Sequence, residues 1–240
     1  MQELQERVAA IRRALDEAAL ARWGRAPRIV AVSKTVPAQR VNPVRACGID
    51  RLGENRVQEI LQKLPELDAT FQIDCIGRLQ INKVKYIIDK VGMIQSLDRE
   101  ALAQEIDRRA GQRGLRMPVL LQVNIGEEPQ KGGVPVDELF SFARYAAALP
   151  GLEVRGLMAV MPQLDDDEAL RPFFRRMREL FERLREEAIA GTRIEELSMG
   201  MSGDYELAAQ EGATLVRIGS AIFGSRQGQE PQQTQGGKES

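Results

Sequence analysis

Eight short apolar runs separated by stretches of helical periodicity constrain the fold of this chain more than any other feature. They fall at 28–33, 49–53, 71–76, 93–97, 117–123, 153–159, 195–198 and 214–218. Strand alternating with helix is the pattern of a parallel sheet covered by its crossover helices. A chain of 240 residues accommodates one large domain with a full core. Eight units in one such domain predict an α/β fold, a (β/α)8 TIM-type barrel; an open doubly wound sheet is the alternative, because the third and seventh runs are weak. Leu4, Val8, Ile11, Leu15 and Leu20 recur near the helical period within residues 2–22, which adds an N-terminal helix before the first strand.

Helix starts are marked as well. Asp98 precedes Glu100 and an apolar stripe, Pro135-Val136-Asp137-Glu138-Leu139 gives a similar opening, and Asp165 with Glu168 begins a long helix through Phe173, Met177, Leu180, Phe181 and Leu184. The arginines of that long helix read as a solvated outer face. Residues 1–226 are expected to form the single barrel domain. The stretch 227–240 is polar, has no apolar period and reads as a disordered tail.

The chain contains no histidine, which removes Ser-His-Asp hydrolysis, Cys-His chemistry and the common imidazole metal sites. Acid-base work falls to Lys, Tyr, Cys, Asp or Glu. With 34 basic and 35 acidic residues spread along the chain, no electrostatic case arises for nucleic acid or an anionic membrane. Cys47 and Cys75 lack CxxC spacing, the first residues show no signal-peptide core, and no apolar run reaches membrane-spanning length. A cytoplasmic protein is expected.

In a barrel of this kind the functional face is built from the loops that follow the strands. Lys34 closes the first run just before Thr35-Val36-Pro37, so a buried strand delivers one amine to its carboxyl end. Taken alone, it reads as a solvated strand-end lysine, and the rest of the sequence has to argue otherwise. Asn55 follows the second strand, Arg78 and Lys83 the third, and Lys131 the fifth. The loops after strands 7 and 8 carry Gly200, Met201, Ser202, Gly203, Gly219 and Ser220, the composition of a phosphate cradle made of backbone N–H groups and hydroxyls. Ser202 could also be the N-cap of the helix that follows it, a role compatible with phosphate binding. Arg217 sits inside the eighth strand pattern, where a guanidinium facing the barrel interior needs a partner. A phosphorylated heterocycle beside Lys34 would supply one. In a pyridoxal phosphate site a lysine forms the Schiff base, backbone donors hold the phosphate, and an Asp or Arg contacts the ring nitrogen.

Six ordered segments, AVSKT, LGENRVQE, IGRLQINK, LQVNIGEEPQKGG, RGLMAVMP and LSMGMSGDYELAAQEGATLVRIGSAIFG, together resemble the pyridoxal phosphate homeostasis proteins, single-domain barrel relatives of alanine racemase. The resemblance spans roughly residues 5 to 226. It implies pyridoxal 5'-phosphate as cofactor, Lys34 as the linking lysine, and Ser202, Gly219 and Ser220 as phosphate ligands, with Met201 and Gly203 beside them. Arg217 matches the ring-nitrogen partner, Asn55 lies in the family's GEN motif, and Lys131 matches a second lysine near the cofactor. Arg78 stands where the family often has histidine, and Ile81 where it commonly has a small residue.

The resemblance implies intracellular cofactor homeostasis, with the aldehyde held reversibly on Lys34 and passed to apo-enzymes. The alternative is an amino-acid racemase. That reaction needs a second base, in the racemase relatives a tyrosine delivered by a β-domain of the other subunit, and the length read here leaves no room for one. Tyr86, Tyr145 and Tyr205 all fall in predicted helices. An Arg partner also leaves the ring nitrogen neutral and weakens carbanion stabilisation, which argues for a carrier over a catalyst. A Schiff-base aldolase without a cofactor leaves the Arg217–Ser220 arrangement unexplained unless its substrate is phosphorylated. Without the second domain, a monomer is expected.

Overall fold

The computed structural model describes residues 1–128, 132–164 and 166–224. Eight parallel strands close into a barrel in chain order: β1 Arg28–Val32, β2 Arg51–Glu54, β3 Gln72–Cys75, β4 Met93–Leu97, β5 Met117–Val123, β6 Leu152–Ala159, β7 Thr192–Ser198 and β8 Leu215–Ile218. The open sheet is excluded because β1 pairs along its length with β8, from Arg28 opposite Leu215 to Ala31 opposite Ile218. The weak third run is a short strand that pairs with β2 at four consecutive positions. The seventh begins at Thr192, three residues before its apolar core, because Ile194 is the only buried side chain among its first four residues.

The helices are α1 Gln2–Trp23, α2 Ala38–Val41, α3 Val57–Lys63, α4 Val84–Ile87, α5 Glu100–Gln112, α6 Leu139–Ala147, α7 Asp167–Glu186, α8 Tyr205–Gln210 and α9 Ser220–Phe223. The buried stripe of α1 is Val8, Ile11, Leu15 and Ala19, and Leu20 is exposed. An i, i+3, i+4 spacing turns Ala19 inward and leaves Leu20 on the flank. This stripe lies against α8 and α9, where Arg7 Nε donates to the Ile222 carbonyl at 2.9 Å and Trp23 Nε1 to the Gln210 carbonyl at 3.0 Å.

Capping differs from expectation at two helices. Arg99, not Asp98, is the N-cap of α5, and the Asp98 carboxylate pairs with the Arg99 guanidinium. For α7 the cap is Asp166, whose carboxylate accepts the Glu168 N–H at 3.0 Å, while Asp165 lies outside the described residues. The arginines of α7 are also not merely a solvated face. Arg171 and Arg175 reach the buried Glu211 carboxylate at 2.8 and 3.3 Å, and Arg178 donates to the Gly212 carbonyl while its guanidinium lies 4.4 Å from the Trp23 ring centroid. The tail at 227–240 and the domain boundary at 226 fall outside the described residues.

Between barrel and helices lies a continuous apolar layer that includes fully buried Phe174, Phe181, Leu52, Ile60 and Leu102. Inside the barrel a second cluster, Val30, Met93, Leu120, Met158 and Leu215, fills the cross-section. Two residues further along β4 and β8 the interior becomes polar, with Gln95 and Arg217. That change of character, from a plug of methyl groups to hydrogen-bonding side chains, marks the floor of the functional face.

Candidate functional site

The carboxyl ends of the strands surround a cavity of about 330 Å³. It lies within the range of roughly 300–1,000 Å³ typical of small-molecule sites. Lys34 enters it from the end of β1, Asn55 from β2 and Arg217 from β8, while Met201, Ser202, Gly203, Gly219 and Ser220 come from the two last loops. Val32, Ile76, Val160 and Phe223 supply apolar wall. The candidates nominated for the cofactor from sequence line this one cavity, apart from Gly200, which does not, and Lys131, which lies outside the described residues. Arg78 and Lys83 do not line it; they border a neighbouring groove that shares only Asn55 with the cavity.

The turn that presents Lys34 is held in an unusual backbone. Thr35, a β-branched residue, has φ 63, a conformation that costs of order 1–3 kcal/mol and persists only where its surroundings fix it. Here the Thr35 N–H donates to Glu59 Oε2 at 2.8 Å, its hydroxyl donates to the Lys34 carbonyl at 2.6 Å, and the Val36 N–H returns to the Ser33 carbonyl at 2.9 Å. Lys34 itself is half-buried.

Behind it, on the helix side of the barrel wall, sits a brace that the sequence did not announce. Glu54 is fully buried; its Oε1 accepts from Ser33 Oγ at 2.6 Å and from Lys63 Nζ at 2.7 Å, and Lys63 donates again to the Ser33 carbonyl at 2.6 Å. Burial pushes the Glu54 carboxyl up from the ordinary range, while the bonds from Lys63 and Ser33 pull it back down. The residue after Ser33 is Lys34 and the residue after Glu54 is Asn55, so this brace fixes the two strand ends that deliver site residues.

Ser202 is not the cap of the following helix. That position belongs to Asp204, whose carboxylate accepts the Met201 N–H at 2.5 Å. The Ser202 hydroxyl oxygen instead accepts the backbone N–H groups of Gly219 at 3.1 Å and Ala221 at 3.4 Å. Loops 7 and 8 are thereby joined at the Ser202 hydroxyl, which takes up two backbone donors next to Ser220, a local concentration of donors suited to an oxyanion that replaces that contact. Gly200 has a packing role: with φ 89, an added Cβ would come 2.4 Å from the Ala208 Cβ, and its carbonyl accepts the Arg217 N–H at 3.0 Å. Gly203 faces open space.

Arg217 is 4% exposed. Its partners are neutral: Nη1 donates to Ser198 Oγ at 2.8 Å and Nη2 to the Ala159 carbonyl at 2.7 Å. Burial lowers its pKa to about 10, against the attraction of Asp204, so the group stays cationic at neutral pH. The expectation that it would need a ligand as partner is thus met in part by the protein. Among the described residues, none of the three tyrosines lines the cavity and no cluster of candidate metal ligands occurs.

One amine, one cationic donor, a pair of backbone donors with two serine hydroxyls, and apolar walls form a donor set that fits a small phosphorylated aromatic aldehyde. The amine suits the carbonyl, the loop donors suit the phosphate, and the guanidinium suits an acceptor on the ring.

Comparison with known proteins gives the same direction. Residues 4–227 match the family of alanine racemase N-terminal domains. The pyridoxal phosphate homeostasis protein of Aquifex aeolicus is 46% identical over 200 residues, covering 83% of this chain and 87% of its own length. PipY of Synechococcus elongatus, solved with pyridoxal phosphate bound, superposes with TM-score 0.81 at 33% identity over 92% of this chain and all of its own. Alanine racemase of Clostridium difficile shares the fold alone, at 15% identity and TM-score 0.75, with 95% of this chain covering 58% of the racemase. On these likenesses the chain belongs to the pyridoxal phosphate homeostasis protein family, built on the alanine racemase N-terminal barrel.

Proposed function

We propose that this protein binds pyridoxal 5'-phosphate as a reversible Schiff base on Lys34 and serves intracellular cofactor homeostasis by releasing it to apo-enzymes. The observation that carries this reading is the convergence of Lys34, Arg217 and the Ser202-linked loops on one cavity of about 330 Å³. The Lys34 amine adds to the aldehyde carbon and one water leaves; the reverse hydrolysis returns the free amine and the free aldehyde. Nothing else has to be consumed, which suits a store that loads and unloads. Ser202 and Ser220 hold the phosphate, with Met201 and Gly203 at its edge, and the Gly219 and Ala221 amides, which donate to the Ser202 hydroxyl in this structure, turn to the phosphate once that hydroxyl swings aside. Asn55 contributes an amide beside Lys34, and Lys131 remains a proposed neighbour of the cofactor.

A carrier is favoured over a racemase by two features of the cavity. Its lining among the described residues offers no tyrosine opposite Lys34, and Arg217, still cationic at neutral pH, cannot keep a ring nitrogen protonated as a carboxylate would. We take the working form to be a cytoplasmic monomer.

Borohydride reduction of the loaded protein followed by peptide mass spectrometry tests the attachment. The expected adduct is on Lys34 and disappears in Lys34→Ala; an undiminished adduct in that variant refutes the assignment. The carrier role is tested by mixing loaded protein with an apo-enzyme. Restored activity of the acceptor without turnover of D- or L-alanine by the loaded protein is the expected result, and turnover of alanine would establish the racemase instead.

A further inference from the structure

The barrel interior holds a line of polar side chains that the cofactor site does not touch directly. Arg51 Nη1 lies 3.2 and 3.0 Å from the two Asp74 oxygens, Gln95 Nε2 donates to Asp74 Oδ2 at 2.6 Å, and Ser198 Oγ donates to Gln95 Oε1 at 2.7 Å. Arg217 Nη1 then donates to Ser198 Oγ at 2.8 Å. Asp74, Gln95 and Ser198 are fully buried and come from β3, β4 and β7, so the line crosses the barrel from one wall to the other.

Each step has one permitted sense. An ionised Asp74 only accepts, so the Gln95 amide must turn its nitrogen toward it and its oxygen toward Ser198. The single Ser198 proton is then committed to Gln95, which leaves only lone pairs for Arg217. Burial pushes the Asp74 carboxyl up to about 6, partly offset by Arg51 and Gln95, and it is still predominantly an acceptor at neutral pH. Stability alone does not call for such a line, since apolar replacement of a buried polar network is often neutral or favourable. What it provides is a fixed pair of acceptors, Ser198 Oγ and the Ala159 carbonyl, that set the plane of the Arg217 guanidinium and leave its remaining N–H groups for the cavity.

We propose that Asp74, Gln95 and Ser198 are positioning residues, a one-way hydrogen-bond relay that holds Arg217 as a rigid donor and makes the site selective for a pyridine whose ring nitrogen is unprotonated. This rests on the pyridoxal phosphate reading. The selectivity follows from the donor count: a guanidinium locked on its barrel side can meet an acceptor nitrogen, but it opposes a nitrogen that carries a proton or a methyl group. A guanidinium released from Ser198 can swing aside and tolerate either.

The test compares pyridoxal phosphate with its ring-N-methylated analogue on purified protein by fluorescence titration. Wild type should prefer the unmodified aldehyde by at least about tenfold, the value of one charge-assisted hydrogen bond. Gln95→Met and Ser198→Ala should each reduce that preference severalfold while thermal melts show a folded barrel, and Ser198→Thr, which keeps the hydroxyl, should restore it. If Gln95→Met does not fold, the Ser198→Ala and Ser198→Thr pair carries the comparison. An unchanged preference in folded Ser198→Ala overturns the relay. A parallel measurement needs no ligand: hydrogen exchange of the Arg217 Nε–H by NMR should accelerate in Ser198→Ala, and an unaltered rate overturns the positioning role. If wild type binds neither aldehyde, the cofactor reading itself fails, and the exchange experiment still decides whether the relay fixes Arg217.

Discussion

Replacing Lys63 by Met should destabilise the protein in a way that depends on pH. Among the described residues, Lys63 is the only cation touching Glu54, which is buried and keeps its second oxygen, Oε2, without a hydrogen bond. Removing the ammonium deletes the 2.7 Å bond to Glu54 Oε1 and the 2.6 Å bond to the Ser33 carbonyl, and leaves the carboxylate with the Ser33 hydroxyl alone. An uncompensated buried charge of this kind costs about 3–5 kcal/mol. The folded-state pKa of Glu54 already lies above the ordinary 4.5 and must rise further without Lys63. A group with a raised folded pKa binds its proton more tightly when folded, so its penalty is absent below the unfolded value and grows as pH rises through the folded one. Urea unfolding at a series of pH values should therefore show a gap between wild type and Lys63→Met that is widest at neutral and alkaline pH and narrows toward pH 4.5. The double variant Glu54→Leu, Lys63→Met should recover most of the loss, because an apolar pair removes both charges. A gap below about 1 kcal/mol, or one that does not change with pH, would refute the view that this ion pair braces the strand ends.

Other consequences are independent of that brace. Arg217→Ala should weaken pyridoxal phosphate retention, read by dialysis, yet leave the borohydride-fixed Lys34 adduct able to form; unchanged retention would reduce Arg217 to a packing residue. Gly200→Ala should cost stability and disturb loop 7 even though it adds one methyl, because the new Cβ would meet Ala208 at 2.4 Å and the backbone has φ 89; a thermal melt equal to wild type would contradict the packing. Phe174→Ala, at a fully buried position, should cost about 3–5 kcal/mol in urea unfolding. Asp74 has a folded pKa of about 6 against an ordinary 3.8, so wild type should lose stability relative to Asp74→Asn as pH rises through that window. A difference that is flat with pH would show that Asp74 is not the titrating group.

The legible part of the sequence was what the chain repeats locally. The fourth and fifth strands fall on the expected residues, 93–97 and 117–123, because apolar residues at both ends of each run outweigh Gln95, Ser96 and Gln122 within them. Lys34, Asn55 and Arg217 were found because a parallel barrel places strand ends together whatever the sequence between them. Helix caps were less secure: Asp98 and Asp166 sit in similar acidic openings, yet only Asp166 accepts a helical N–H, since the neighbouring Arg99 draws the Asp98 carboxylate away. The phosphate loops were found by their glycines and serines, but the partner of Ser202, a pair of amides near residue 220, depends on how two loops meet.

The two polar systems escaped notice for one physical reason. Along β1 and β2, Ser33 and Glu54 point to the helices while Lys34 and Asn55 point to the cavity, so neighbours in sequence serve opposite sides of the wall. Along β3, β4 and β7, Asp74, Gln95 and Ser198 point inward from positions that read, residue by residue, as lone polar interruptions of apolar strands. Only the closed register, with Asp74 opposite Met93 on the next strand and Ser198 opposite Leu215, brings these interruptions into one line ending at Arg217. A buried polar residue in a strand run is therefore better read against the other strands of its barrel than against its own helix or loop. Where several share one interior level, each can satisfy the next, and the group at the end of the line inherits a fixed orientation.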